Sequence, residues 1–157
     1  MTRVGWGFDA HRFRPEGRVL LAGVVVDDRR GVDATSDGDV LAHAVADAVL
    51  GAAALGALGA LCPSGDPAWE GADSMELLAG VVRRVEEAGY RVAAVDATVI
   101  AQTVRVAPHR DRLRAALAAR LGVDPAAVSV KATTTDGMGF TGADEGLAAA
   151  ALAVIEG

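Results

Sequence analysis

TRVGWGFD at residues 2–9 reads as a β-strand, with Asp9-Ala10-His11 at its end and a turn around Arg14-Pro15-Glu16-Gly17 beyond. From this strand the chain alternates. Residues 18–26 (RVLLAGVVV) are a β-branched run and read as a second strand. Ser36-Asp37-Gly38-Asp39 is a polar turn of helix-capping residues that opens a helix over 40–55. Residues 56–71, rich in Gly, Pro and small side chains, read as a loop. Asp73 and Glu76 have the spacing of a capped helix start, and that helix runs to 88 with Gly89 as its stop. A strand over 91–101, a helix over 107–121 stopped by Gly122, a strand over 127–135 and a helix over 144–155 complete the reading. Strands largely separated by helices indicate an α+β or α/β domain with helices on one sheet face. The last helix carries no charged or polar side chain between Glu145 and Glu156. A helix apolar all round needs cover on most of its surface, so a subunit interface is expected there.

The 157 residues suit one compact domain. Asp and Glu number 21 against 15 Lys and Arg, which argues against nucleic acid or an anionic membrane as a partner held by bulk charge. The single cysteine, Cys62, cannot form an internal disulfide, which points to a reducing, cytoplasmic setting. Neither a signal peptide nor a membrane span is expected, because the first residues have no apolar stretch and no long apolar run follows.

Asp9 and His11 are two apart on a strand and share a face, so they can converge on one ion. His43 lies one turn into the helix that follows the capped turn. A carboxylate and two imidazoles suit Zn²⁺ or another divalent first-row metal and leave a fourth position for substrate or water. Asp47, at i+4 from His43, is placed to orient it. The competing reading is that an Asp-x-His is common by chance and that histidine is often just a polar surface residue. His109, after Pro108, reads as a helix-start residue rather than a ligand.

Two segments suit anions. Residues 35–38 (Thr-Ser-Asp-Gly) direct backbone N–H groups toward a helix N-terminus, or form an ordinary cap. Residues 131–137 place Thr133, Thr134 and Thr135 after a strand, with Asp136 as a hard oxygen ligand for phosphate-bridged Mg²⁺; a threonine run is equally good strand composition.

Taken together, GFDAHRF (7–13), SDGDV (36–40) with His43 and Asp47, LGAAALG (50–56), GADS (71–74), KATTT (131–135) and GFTG (139–142) with Glu145-Gly146 span nearly the whole chain. In order and spacing they resemble the 2-C-methyl-D-erythritol 2,4-cyclodiphosphate synthase family, the cyclases of non-mevalonate isoprenoid biosynthesis. The resemblance implies a single α+β domain over 1–157, with helices on one face of a mixed sheet and the sheets assembled around the threefold axis of a homotrimer. Active sites would lie at the subunit interfaces. It implies Zn²⁺ on Asp9, His11 and His43, and Mg²⁺ or Mn²⁺ held by Asp136 and the substrate diphosphate. The substrate would be a cytidine diphosphate carrying a phosphorylated methylerythritol, cyclised by a lyase-class reaction that releases CMP. Thr134, Thr35 and Asp47 would stand at the reacting phosphates. Ser36, Ala57, Gly59, Ala101, Arg105, Thr133, Thr135 and Phe140 would contact substrate, with 101–107 forming the cytosine loop.

The chain departs from the family pattern at several of these positions. Thr35 stands for a usual His, Ala57 for an Asp that accepts from ribose, Cys62-Pro63-Ser64 for Phe-Pro-Asp, Val104-Arg105 for Pro-Lys, Ala143 for Arg and Ala150 for Glu. Each lost partner weakens recognition where the substrate group stays buried and unpaired. The departures leave two other readings: a diverged paralogue acting on a different nucleotide-activated phosphate, or a non-catalytic trimer binding metal and a phosphate ligand.

Overall fold

The computed structural model describes residues 1–157. Its strands are β1 (Thr2–Arg14), β2 (Val19–Leu21), β3 (Val24–Asp27), β4 (Gly31–Val32), β5 (Arg91–Ile100), β6 (Val128–Thr133) and β7 (Gly146–Glu156). The helices are α1 (Val40–Ala52), α2 (Leu58–Leu61), α3 (Ser74–Glu87), α4 (Arg110–Leu121) and α5 (Gly139–Gly142). Five strands form one mixed sheet in the order β4-β1-β7-β5-β6, with β5 and β6 parallel and the other pairs antiparallel; β2 and β3 form a separate hairpin. α1 packs on β1 and β7, α3 on α1, and α4 on β6, so the helices lie on one face, as expected.

The segment expected to be the last helix is β7, the middle strand of the sheet. It pairs with β1 from Thr2↔Glu156 to Arg12↔Gly146 and with β5 on its other side. Leu147, Ala149, Ala151, Ala153 and Ile155 are buried on the helix side, while Leu152 on the opposite face is 45% exposed. The alanines are there for thickness rather than helicity: α1 lies so close to the sheet that large side chains have no room. The same closeness explains Gly5 and Gly7 of β1, where a Cβ would lie 2.0 Å from the carbonyl oxygens of Ala48 and Ala44. The all-round apolar helix that suggested a subunit interface is therefore absent, and the open sheet face takes its place in that argument.

Other expectations shift by smaller amounts. β1 continues past Asp9 to Arg14, so the candidate ligands sit within the strand rather than at its end. The run 18–26 is a hairpin, folded at Ala22 and Gly23, both with positive φ. The loop 56–71 contains α2 and a 3₁₀ turn at Pro67–Trp69. The helix expected from 107 opens with a 3₁₀ turn, Ala107–His109, that places His109 before α4. The helix starts expected at the capped turns hold, with Asp39 and Asp73 capping α1 and α3, and Gly122 ends α4 in the left-handed region at φ 70°; α1, expected to reach 55, stops at Ala52.

Candidate active site

Asp39 builds the site from below. Its buried carboxylate accepts from Ala42 N, capping α1, and from Ala22 N and Gly23 N of the β2–β3 turn. This locks the start of α1, and with it His43, against the sheet. Burial lifts the Asp39 carboxyl to about 6 despite these three amide bonds.

Asp9 and His11 rise from the helix-side face of β1, on the same side as Gly5 and Gly7, and meet His43 from α1. Their ligand atoms all lie within 4.8 Å of one another. Asp9 Oδ2 is 2.9 Å from His43 Nδ1 and 3.1 Å from His11 Nε2. His11 Nε2 is buried and has no hydrogen-bond partner of its own. A convergent carboxylate oxygen and two ring nitrogens, one of them without a partner, fit a divalent ion of the zinc class with room for a further ligand. Burial opposes charge on Asp9, but His11 and His43 outweigh it and hold the carboxyl at about 2.

A cavity of about 220 Å³ opens above this cluster, lined by Thr35, Ser36, Asp47, Gly59, the Cys62-Pro63-Ser64 segment and Trp69 among others. Asp47 lies in its wall but outside the ligand group; its Oδ1 accepts from Leu58 N at 2.6 Å, pinning the α1–α2 turn. Thr35 Oγ1 accepts from Gly65 N at 2.8 Å, tying the turn to the 62–66 segment while leaving its proton to donate. The amides of Asp37, Gly38 and Asp39 are bonded within the protein, so the 35–38 turn offers a ligand hydroxyls more than free N–H groups.

The remaining candidates form separate groups. Thr133, Thr134, Thr135 and Asp136 lie at and beyond the end of β6, with the Thr135 hydroxyl bonded to Met138 O and Thr141. Asp136 is exposed, at φ 52°, and is not part of the Asp9 group. Ala101 is buried and Arg105 lines a shallow pocket with Asp27, Asp28 and Thr103. Phe140 shares a small pocket with Ala10, His11 and Glu145. Ala57 is exposed at the N-terminus of α2 and makes no capping bond.

Asp37 and Ser74, which the sequence places in the SDGDV and GADS stretches without a role of their own, support the cluster. Ser74 Oγ bonds His43 Nε2 at 2.7 Å and also donates to Asp37 Oδ1. A serine directly after the Asp73 cap was the available sign, but nothing local links it to a histidine 31 positions earlier.

Fold and cluster together define an α+β protein with a candidate metal centre at a strand–helix seam. The sequence model of the YgbB family matches residues 2–156, and the chain belongs to that family. It is 53% identical over 154 residues, 98% of this chain and 96% of the relative, to a protein of Thioalkalivibrio sulfidiphilus named 2-C-methyl-D-erythritol 2,4-cyclodiphosphate synthase. Among solved structures it matches the bifunctional IspDF of Campylobacter jejuni (TM-score 0.95, 39% identity, 99% of this chain but 42% of that one). It also matches a CDP complex of Plasmodium falciparum IspF (TM-score 0.86, 25% identity, 98% and 95% of the two chains).

Proposed function

We propose that this chain converts 4-diphosphocytidyl-2-C-methyl-D-erythritol 2-phosphate to 2-C-methyl-D-erythritol 2,4-cyclodiphosphate with release of CMP. The observation that carries this reading is the Asp9–His11–His43 cluster under a hydroxyl-lined cavity, in a chain 53% identical over nearly its full length to a relative named for that activity. The same near-complete match argues against a paralogue of changed substrate and a non-catalytic binder, in spite of the thinned periphery.

An oxygen of the 2-phosphate attacks the β-phosphorus, the bond from that phosphorus to the oxygen it shares with CMP breaks, and CMP leaves. Asp9, His11 and His43 would hold Zn²⁺ or another divalent ion, which when bound supplies charge neutralisation and Lewis acidity at the phosphates. Asp136 is the candidate for a second ion, Mg²⁺ or Mn²⁺, shared with the diphosphate. The chain's own groups position the reactants. The Thr35 and Ser36 hydroxyls donate to phosphate oxygens, Thr134 donates to the oxygens that gain charge, and Thr133 and Thr135 shape its loop. Ala101 and Arg105 serve the cytidine end, Ala57 and Gly59 the ribose, and Phe140 contacts substrate from the small pocket it shares with His11. Asp47 acts through the α1–α2 turn it holds.

The open sheet face supports a homotrimer with its sites between subunits. Val4, Trp6 and Phe8 are 63%, 62% and 44% exposed there beside Leu152. The cavity over the metal cluster is lined by none of Thr133, Thr134, Thr135, Asp136 or residues 101–107 of the same chain, which favours the same arrangement. We take residues 1–157 as one domain of a cytoplasmic enzyme; no helix is long and apolar enough to cross a membrane.

The test is to incubate protein, divalent metal and substrate and follow CMP and the cyclic diphosphate by chromatography and phosphorus NMR. Both products are expected, with loss on chelation and in His43→Ala. Absence of CMP with metal-loaded protein would sink the reading. Light scattering is expected to give three times the chain mass; a stable monomer at micromolar concentration would remove the interfacial site.

A further inference from the structure

We propose that Arg30 is a positioning residue for the segment 101–107: with Thr103 and Asp144 it forms a polar clasp that holds this segment in the shape that receives a cytosine base. The inference rests on the reading above that 101–107 serves the nucleotide.

The segment between β5 and the 3₁₀ turn has little structure of its own. Ala101, Val104 and Val106 anchor it from beneath as buried side chains, and Ala101 N donates to Thr133 O. Gln102, Thr103 and Arg105 point outward, so bonds made by these side chains decide how the segment's upper surface sits. Gln102 Oε1 accepts from Gly137 N at 3.3 Å. Thr103 Oγ1 donates to the Asp144 carboxylate, 2.9 Å from either oxygen, and accepts from Arg30 Nη2.

Arg30 ties this contact into the rest of the fold. Nη1 donates to Asp144 Oδ2 at 2.8 Å, Nε donates to Asp27 Oδ2 at 3.1 Å, and the guanidinium lies 3.9 Å from the centre of the Phe13 ring. One side chain thereby joins β1, the end of β3, the α5–β7 junction and the 101–107 segment. Asp144 sits at φ 58°, a region that Asp tolerates better than most residues, and its neighbour Glu145 accepts from Phe13 N. The arginine is mostly covered, 21% exposed, and sits on an aromatic face between two carboxylates. This arrangement uses the planar fork, which lysine lacks. Without the guanidinium, Asp27 and Asp144 would lose the positive charge they share. The junction would then be free to move, and Thr103 would lose its fixed partner. A binding segment that must be ordered by its ligand binds more weakly by the cost of ordering.

The experiment compares the unmodified chain with Arg30→Met, Arg30→Lys and the milder, exposed-site variant Thr103→Val. Three measurements are made on zinc-loaded protein: CDP affinity, inorganic pyrophosphate affinity, and hydrogen exchange of the 102–106 amides. In Arg30→Met and Thr103→Val, exchange should rise and CDP binding should weaken roughly five- to twentyfold. Pyrophosphate affinity and zinc content should stay within about twofold, and Arg30→Lys should recover only part of the loss. A general loss of structure would weaken all ligands together. Unchanged exchange, or faster exchange with the preference for CDP over pyrophosphate intact, would overturn the clasp. If the unmodified chain binds CDP no better than pyrophosphate, the nucleotide reading of 101–107 fails and the base-positioning role falls with it. The exchange data would still show whether Arg30 holds the segment.

Discussion

The hydroxyl of Ser74 lies 2.7 Å from Nε2 of His43, and Asp9 Oδ2 lies 2.9 Å from Nδ1 of the same ring. The ring is thus held at both nitrogens. Ser74 is itself fixed, its amide donating to Asp37 Oδ2 at 3.0 Å and its hydroxyl bonded to the other oxygen of that carboxylate. With the hydroxyl spent on Asp37, its oxygen accepts from Nε2–H; in the metal-free chain Nδ1–H donates to Asp9, and loss of that proton frees the Nδ1 lone pair for an ion beside Asp9 and His11.

Removing that support should loosen the metal without removing a ligand. Ser74→Ala is expected to lower zinc affinity by about 10- to 100-fold. Asp73 still caps α3, so the helix start should persist. Competition against a chelating indicator measures the change; an affinity equal to the unmodified chain would show that the serine does not orient His43.

The metal-free chain should carry a pH signature of the same cluster. Burial opposes charge on both groups, but His11 and His43 lower Asp9 from 3.8 to about 2, and Asp9, Asp39 and Asp37 raise His43 above 6.5. The lowered carboxyl contributes stability that is full above 3.8 and lost as pH falls toward 2. The raised imidazole contributes stability that is full below 6.5 and lost as pH rises through its folded value. Both are complete only between 3.8 and 6.5. In chelator-treated protein, the gap in unfolding midpoint between the chain and Asp9→Asn should be widest in that window. A gap that is flat with pH would separate the carboxylate from the histidines.

Gly7 tests the closeness of α1 to β1. In Gly7→Ala the new methyl would lie 2.0 Å from Ala44 O and 2.6 Å from Ala48 N, both backbone atoms that cannot swing away. The helix must lift, at a cost of about 3 kcal/mol, and His43 must retreat from Asp9. Gly51→Ala, inside α1, would set its methyl 3.8 Å from Trp6 O, an ordinary contact, and should instead stabilise by up to about 1 kcal/mol. Urea unfolding of the two variants is the measurement, and equal effects would contradict the packing described.

Ala57 tests the ribose end of the proposed site. Ala57→Asp is expected to tighten CDP binding by about 1–2 kcal/mol, roughly five- to thirtyfold, if the position faces a ribose. Calorimetry with a 2′,3′-dideoxy nucleotide serves as the control and should show no gain. A new carboxylate can also cap α2. Equal gains for both nucleotides would therefore assign the effect to the helix, and no gain would move the ribose elsewhere.

Much of this protein is decided within short stretches of chain. Asp39 caps α1 because its carboxylate reaches an amide three residues on, which places His43 and Asp47 one turn apart on that helix. The two-residue repeat of a strand puts Asp9 and His11 on one face whatever the strand pairs with, and Gly122 turns the chain because it tolerates φ 70°. These are local facts, and the candidate ligands were legible from them. The tertiary structure alone decides residues 146–156. Alanine favours helix in isolation, so a run of alanines between two glutamates reads as one. It becomes a central strand because β1 and β5 supply hydrogen-bonding partners along both edges, and because only small side chains fit beneath α1. The same holds for Ser74 against His43, Thr35 against Gly65 and Arg30 against Thr103 and Asp144. Each is a contact between segments 30 or more residues apart, set by how the sheet and helices pack.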